Sequence, residues 1–204
     1  EDNQIQKVQI PSSVKEIGGS AFRNCACLTE MSFGKGLEKI GSSAFYGCKG
    51  LKKINFTDNA DVNCELTIEN SAFAGCINLE EVKLSENVRR IGEMTFYNCN
   101  SLKQIKLPLK LKSLGSRVFG GTGITSITIP KTLESAYSYN KGALAGARNL
   151  KEVIIEDGMT KIPPDLVCVD EDNQIQKVQS PCWASVLSCC SWVLVLFSAE
   201  IAAF

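Results

Sequence analysis

The sequence predicts an α/β repeat architecture: about eight short parallel strands, each followed by a short helical turn, stacked coil upon coil, with an apolar C-terminal tail. Three observations predict it. One phrase recurs nearly intact, as IGGSAFRNC at 17–25, IGSSAFYGC at 40–48, IENSAFAGC at 68–76 and IGEMTFYNC at 91–99, with looser copies LGSRVFGGT at 114–122 and GALAGA at 142–147. A second phrase alternates with it: IQKVQI (5–10), LTEMSF (28–33), LKKINF (51–56), LEEVKL (79–84), LKQIKL (102–107), ITSITI (124–129), LKEVII (150–155) and IQKVQS (175–180). The period is steady, because Phe22, Phe45, Phe73, Phe96, Phe119, Leu144 and Val167 follow one another at spacings of 23, 28, 23, 23, 25 and 23. Self-similarity at such a period is the mark of a stacked array.

Each unit has a legible physics. In LKKINF, Ile54 and Phe56 alternate and so share one face of a strand, with Leu51 turning in beside them. In IGSSAFYGC, Ile40, Ala44, Phe45 and Cys48 fall at i, i+4, i+5 and i+8, the spacing of one face of a helical turn, with Gly41 and Ser42 breaking and capping its start. Neither face holds enough apolar surface to fold alone, so neighbouring coils must bury both in one continuous core.

The column three residues after each anchor reads Cys25, Cys48, Cys76, Cys99, then Thr122, Ala147 and Asp170. Four cysteines in register invite a metal or disulfide reading. A metal site needs sulfurs converging on one point, whereas coils spaced by about 4.8 Å hold side chains parallel. The same parallel Cβ vectors suit a disulfide poorly. Replacement by Thr and Ala fits a small buried residue, so the column reads as core thiols, with disulfide and metal as the weaker alternatives. Cys27 is expected to point outward, and Cys64 and Cys168 have no partner that the sequence names.

The outward strand positions read Lys7, Glu30, Lys53, Glu81, Gln104, Ser126, Glu152, Lys177 in one column. Alternating charge favours in-register stacking through opposite-charge pairs on neighbouring strands. The other column, Gln9, Ser32, Asn55, Lys83, Lys106, Thr128, Ile154 and Gln179, holds no aromatic residue and shows no obvious hot spot. Two coils carry insertions, around 57–67 and 135–142, and insertions in solenoids fall in loops that often bind partners. Tyr137 and Tyr139 in the second insertion are aromatics in a polar loop, and they are the candidate protein-binding residues. Lys83 and Lys106 join them as expected rim charges. The acidic residues Asp58, Asp61 and Glu65 lack calcium-loop spacing.

Composition narrows the function classes. Lys+Arg and Asp+Glu both number 22, so the basic excess of a nucleic-acid binder is missing. There is no histidine, the commonest general base and transition-metal ligand. No nucleophile–base pair emerges, so we expect no catalysis and no cofactor. The chain opens on Glu1 without a signal-peptide pattern and reads as a mature or excised fragment.

The phrase [IP]-x-S-V-x-x-I-G-x-x-A-F-x-x-C-x-x-L stands here as IPSSVKEIGGSAFRNCACL at 10–28. It resembles the BspA-like, or Treponema-type, leucine-rich repeat proteins over roughly residues 5–180, specifically in the first five coils and more loosely after Phe119. The resemblance implies an open right-handed leucine-rich-repeat solenoid, spanning residues 1–180 in seven coils of about 23 residues. It also implies a bacterial or protist cell-surface protein used in adhesion, with a protein or glycoprotein partner such as host extracellular matrix. The runner-up reading is a passive spacer within a longer array.

Both ends of the array are unusual. EDNQIQKVQ at 1–9 returns letter for letter at 171–179, as duplication of a multi-coil block or an engineered join would leave it. Residues 181–204 form the apolar tail, and the 20 residues from Ser180 to Ala199 carry no charge. Their length fits a membrane anchor, a cap over the last coil or a non-native end, and only this tail offers a membrane contact.

Overall fold

The computed structural model describes residues 4–56, 64–136, 142–167 and 174–179. Among them thirteen short strands run β1 (Lys7–Gln9), β2 (Glu16–Ile17), β3 (Glu30–Ser32), β4 (Lys39–Ile40), β5 (Lys53–Asn55), β6 (Leu66–Ile68), β7 (Glu81–Lys83), β8 (Val88–Ile91), β9 (Ser113–Leu114), β10 (Ser126–Ile129), β11 (Ser135–Ala136), β12 (Glu152–Ile155) and β13 (Lys177–Gln179). Every pairing is parallel. The chain is a β-solenoid of about six turns whose coils have three sides.

The first side carries the expected strand phrases. It is paired in three pieces, β1–β3, β5–β7 and β10–β12–β13, and Leu102–Leu107 in the intervening coil has no strand. The alternation holds: Leu51, Ile54 and Phe56 are buried while Lys53 and Asn55 are exposed. The second side is a six-stranded sheet in the order β2–β4–β6–β8–β9–β11, which the sequence reading did not anticipate. Here lies the isoleucine of the recurring phrase. Ile17, Ile40, Ile68 and Ile91 point inward as strand residues, fully or almost fully buried. Gly41 follows because the coils nearly touch: a Cβ at this position would lie 2.5 Å from Gly19 N and 2.9 Å from Ile17 O.

The third side corrects the α/β expectation, for the described residues contain no helix. In its place come overlapping turns. Ala44 N, Tyr46 N and Cys48 N donate locally to Gly41 O, Ser43 O and Phe45 O at 3.0–3.2 Å. The alternate amides, Ser43 N, Phe45 N and Gly47 N, donate across to Asn70 O, Ala72 O and Ala74 O of the next coil at 2.8–2.9 Å. A helix is impossible because every fourth residue has positive φ. Ser20, Ser43, Ser71, Met94 and Arg117 do so two before the anchor, and Asn24, Gly47, Gly75, Asn98 and Gly121 two after it. Positive φ at the third position is what a type II turn requires. The i, i+4, i+5, i+8 spacing therefore buries one face of a turn ladder, with Ala44, Phe45 and Cys48 all at 0% exposure.

The core runs the length of the stack. Phe22, Phe45, Phe73, Phe96 and Phe119 form one aromatic column, with ring centroids 5.1, 5.1, 5.8 and 6.1 Å apart and planes within 7° of parallel. Phe33 and Phe56 begin a second stack at 4.3 Å and meet the first edge-on. Such geometries add to area burial.

Beside the rings stands the cysteine column. Cys48 Sγ donates to Phe22 O (3.0 Å), Cys76 Sγ to Phe45 O (3.2 Å) and Cys99 Sγ to Phe73 O (3.2 Å), each reaching back one coil. Cys48, Cys76 and Cys99 are thiols outside any disulfide. Thr122, next in the column, turns its hydroxyl to its own coil's Phe119 O at 2.7 Å. Burial pushes the thiol pKa of Cys48 and Cys99 from 9.0 up to about 12, and that of Cys76 higher still. Of the other cysteines, Cys27 and Cys64 are half-buried, with Sγ at 4.0 Å from Gln4 Oε1 and 3.8 Å from Glu38 Oε1, and Cys168 lies outside the described residues. The apolar tail, 181–204, lies outside them too. No helix of the described residues is long and apolar enough to cross a membrane.

Three measurements check this account. Phe45→Ala removes a ring stacked on both faces and should cost about 3–5 kcal/mol in denaturant melts. Phe22→Ala, half-buried and stacked on Phe45 alone among the described rings, should cost less. At Gly75 (φ +73°) a Cβ meets nothing closer than 3.6 Å, so Gly75→Ala tests backbone strain alone. It should cost about 1–2 kcal/mol, and Gly75→Asn less, since Asn enters the left-handed region more readily.

The third measurement is alkaline stability. Above pH 9 the unfolded chain sheds thiol protons that the folded chain keeps, so folding stability falls as pH climbs from about 9 towards about 12. Cys99→Thr, copying Thr122, should make that decline shallower, and an unchanged slope in urea melts between these pH values would refute the assignment.

Candidate functional site

With the interior filled by stacked side chains, recognition falls to the three outer faces. The first sheet presents the expected charge ladder. Lys7 meets Glu30 at 2.9 Å, Lys53 meets Glu81 at 3.2 Å and Lys177 meets Glu152 at 3.8 Å, each pair joining neighbouring strands. Over β1, β3 and β5 lies an open groove of about 710 Å³, lined among others by Lys7, Val8, Glu30, Met31, Lys52 and Lys53. The second sheet has its own ladder, with Lys39–Glu16 at 2.8 Å, Lys15–Glu38 at 2.9 Å and Arg89–Glu65 at 3.3 Å. The hydrogen bond and charge of Glu16 raise the Lys39 pKa. A cleft of about 460 Å³ opens beside Arg89, between Lys110, Lys112, Lys131 and Glu134.

The turn face differs, because it carries exposed aromatic area. The column one residue after the anchor reads Arg23, Tyr46, Ala74, Tyr97 and Gly120. The Arg23 guanidinium sits over the Tyr46 ring, 4.8 Å from its centroid, and Tyr46 remains 39% exposed. Tyr97 leans over the next coil, where a Cβ on Gly120 would come within 2.8 Å of its ring. Ile77, just beyond this face, is another large apolar side chain left at 39% exposure. The sequence reading passed over Arg23, Tyr46 and Tyr97 because it weighed only the strand columns and the two insertions as recognition sites. The signal was the two tyrosines sharing one column.

Of the four residues singled out from sequence, Lys83 and Lys106 lie among the described residues. Lys83, on β7, is exposed, and its Nζ reaches back to Glu81 at 2.9 Å on the same strand. Glu81 therefore takes hydrogen bonds from both Lys83 and Lys53, which hold its carboxyl below the usual range. Lys106 is exposed in the coil segment that has no strand. Both lysines belong to the first side, whereas residues 135–136 form β11 of the second sheet. Tyr137 and Tyr139 lie outside the described residues, in the segment joining β11 to Gly142 at the start of a turn-face coil. The other insertion, most of which is also outside the described residues, joins β5 of the first sheet to β6 of the second.

Known proteins match this architecture. A leucine-rich repeat protein of T. pallidum is 27% identical, with a TM-score of 0.62 over 72% of this chain and 68% of its own. A leucine-rich repeat protein from Bacteroides ovatus ATCC 8483 is 29% identical, with a TM-score of 0.63 over 86% of this chain and 43% of its own, so the present chain spans less than half of that relative. No functionally curated protein matches. The family model for the BspA type leucine-rich repeat region, in six copies, takes in residues 1–64 and 66–182. The match takes in nearly all of the repeat phrases, and the chain belongs to the BspA-type leucine-rich repeat family.

Proposed function

We propose that this chain is a non-catalytic protein-binding module that works at the cell surface in adhesion. Membership of a leucine-rich repeat family supports a protein-binding role. The observation that carries the reading further is the Arg23–Tyr46 stack on the turn face. Tyr and Arg dominate binding hot spots, and here both are held on a backbone ladder before any partner arrives, which lowers the ordering cost of association. Tyr97 extends the patch along the stack, and the segment with Tyr137 and Tyr139 leads into the same face several coils further on. A partner with a standard-size footprint could span them. Lys83 and Lys106, on the neighbouring side, act as rim charges that set on-rate and salt dependence more than affinity.

The test starts from a pull-down with extracellular-matrix and host-surface extracts, followed by affinity measurement on the captured protein or glycoprotein. Arg23→Ala with Tyr46→Ala, and separately Tyr137→Ala with Tyr139→Ala, should each weaken binding by about 2 kcal/mol if they are hot spots, with melts unchanged. Lys83→Glu with Lys106→Glu should alter mainly the salt dependence. Loss of binding only in the lysine variant would move the site to the first sheet. A folded chain that captures nothing would be a spacer.

A further inference from the structure

The charge ladder of the second sheet stops part-way along the stack. Up to β8 it is satisfied, with Lys15 on Glu38, Lys39 on Glu16 and Arg89 on Glu65. Beyond β8 the alternation fails. Lys112 N donates to Arg89 O at 2.9 Å, which sets two cations at equivalent positions of neighbouring coils. Like charges so placed cost stability. Lys110, Lys112 and Lys131 are exposed and form no ion pair among the described residues. The acids around them are turned elsewhere: Glu86 accepts from Leu109 N (2.8 Å) and Glu156 from Lys131 N (2.9 Å). Glu134 is the carboxylate left among the cations in the cleft of about 460 Å³. Arg89 lines the same cleft as its fixed point. Its side chain is only 16% exposed, with Nε 3.3 Å from Glu65 and Nη1 donating to Glu86 O at 2.7 Å. A guanidinium has five N–H donors, and Nη2 makes no bond among the described residues.

We propose that this cleft binds a linear sulfated glycan, with Arg89, Lys110, Lys112 and Lys131 holding its sulfate groups. Arg89 belongs to one coil, Lys110 and Lys112 to the next and Lys131 to the one after. Coils step by about 4.8 Å along the sheet, so the positive charge is spread over roughly 10 Å of the stack axis. That spread suits a chain carrying several anionic groups better than one small ion. The planar fork of Arg89 can give two N–H bonds to one sulfate, while the lysines act as point charges beside it. The described lining holds no aromatic and no large aliphatic side chain. A protein hot spot is built around Trp, Tyr and Arg in apolar surroundings, and single-stranded nucleic acid needs aromatic platforms for its bases. A hydroxyl-rich, sulfated chain needs neither. The site lies on the second sheet and is independent of the Arg23–Tyr46 patch on the turn face.

Isothermal titration calorimetry of the full 204-residue chain with a heparin-derived oligosaccharide should show binding that weakens as salt rises. The same oligosaccharide stripped of its sulfates should bind about tenfold more weakly or worse, the loss of one or more charge-assisted bonds. Lys112→Gln with Lys131→Gln should cost a similar factor of about ten. Its melt should match the parent's, because both side chains are exposed. Glu134→Gln removes the carboxylate among the cations and should instead strengthen binding, by about twofold to fivefold. Arg23→Ala with Tyr46→Ala should leave the titration unchanged, which separates this site from the turn face. A chain that ignores the oligosaccharide overturns the proposal. So does equal affinity for the desulfated form, or affinity that survives the two lysine changes. Vesicles of phosphatidylserine and phosphatidylcholine that bind more tightly through the same lysines would overturn it in favour of a membrane surface.

Discussion

A coil can stack on its neighbour in parallel register only if every column accepts the same kind of side chain at each step. The demand is strictest in the column from Phe22 to Phe119. Ring planes within 7° of parallel mean that five coils present the same rotamer from the same backbone position. The turn ladder makes this possible. By sending alternate amides to the next coil, it fixes the coil spacing at the backbone level, and the rings then fill what that spacing leaves. The thiols beside them follow from the same constraint. A small side chain with one weak donor fits between a ring and the carbonyl of the coil before, and its proton is held there by burial.

That constraint explains what could be read from the sequence. Columns of identical residues are visible without a structure, so the period, the phenylalanine stack, the core placement of Cys48, Cys76 and Cys99, and the Lys–Glu ladder of the first sheet were all legible. The third side was not, because spacing alone does not distinguish a helical turn from consecutive β-turns. Both bury residues at i, i+4, i+5 and i+8. The discriminating signal was the column two residues past each anchor, Asn24, Gly47, Gly75, Asn98 and Gly121, which contains only the two residue types that readily take positive φ. The second sheet escaped for a different reason. Strands such as Lys39–Ile40 are two residues long, too short to show an alternation, and the glycine after Ile40 looked like a helix breaker when its role is to let two backbones touch.

The candidate site was legible only in part. Lys83 and Lys106 are exposed on the first side as expected, yet Lys83 is engaged by Glu81 and the tyrosine insertion departs from the other sheet. Reading which side an insertion leaves from requires knowing how many sides there are, and a two-sided picture could not supply that. The same gap hid Arg23 and Tyr46, whose column becomes an outer surface only once the third side is a flat ladder.

The three outer faces are unequal in what they leave for a partner. On both sheets the outward lysines and glutamates largely satisfy one another across neighbouring strands, and exposed pairs of this kind contribute little energy while fixing register. A ligand docking there would have to compete with those pairs for each charge. The turn face has a different chemistry. Its backbone bonds are met within the ladder, so its outward side chains are not needed for stacking, and the column holding Arg23, Tyr46 and Tyr97 carries apolar area that no other coil covers completely. The repeat thereby separates two tasks that globular folds mix. The inward columns and the charge ladders hold coil to coil, while Arg23 and Tyr46 of the turn-face column stand outward. Affinity for a partner is most economically gathered on that column, with the charged faces on either side orienting the approach.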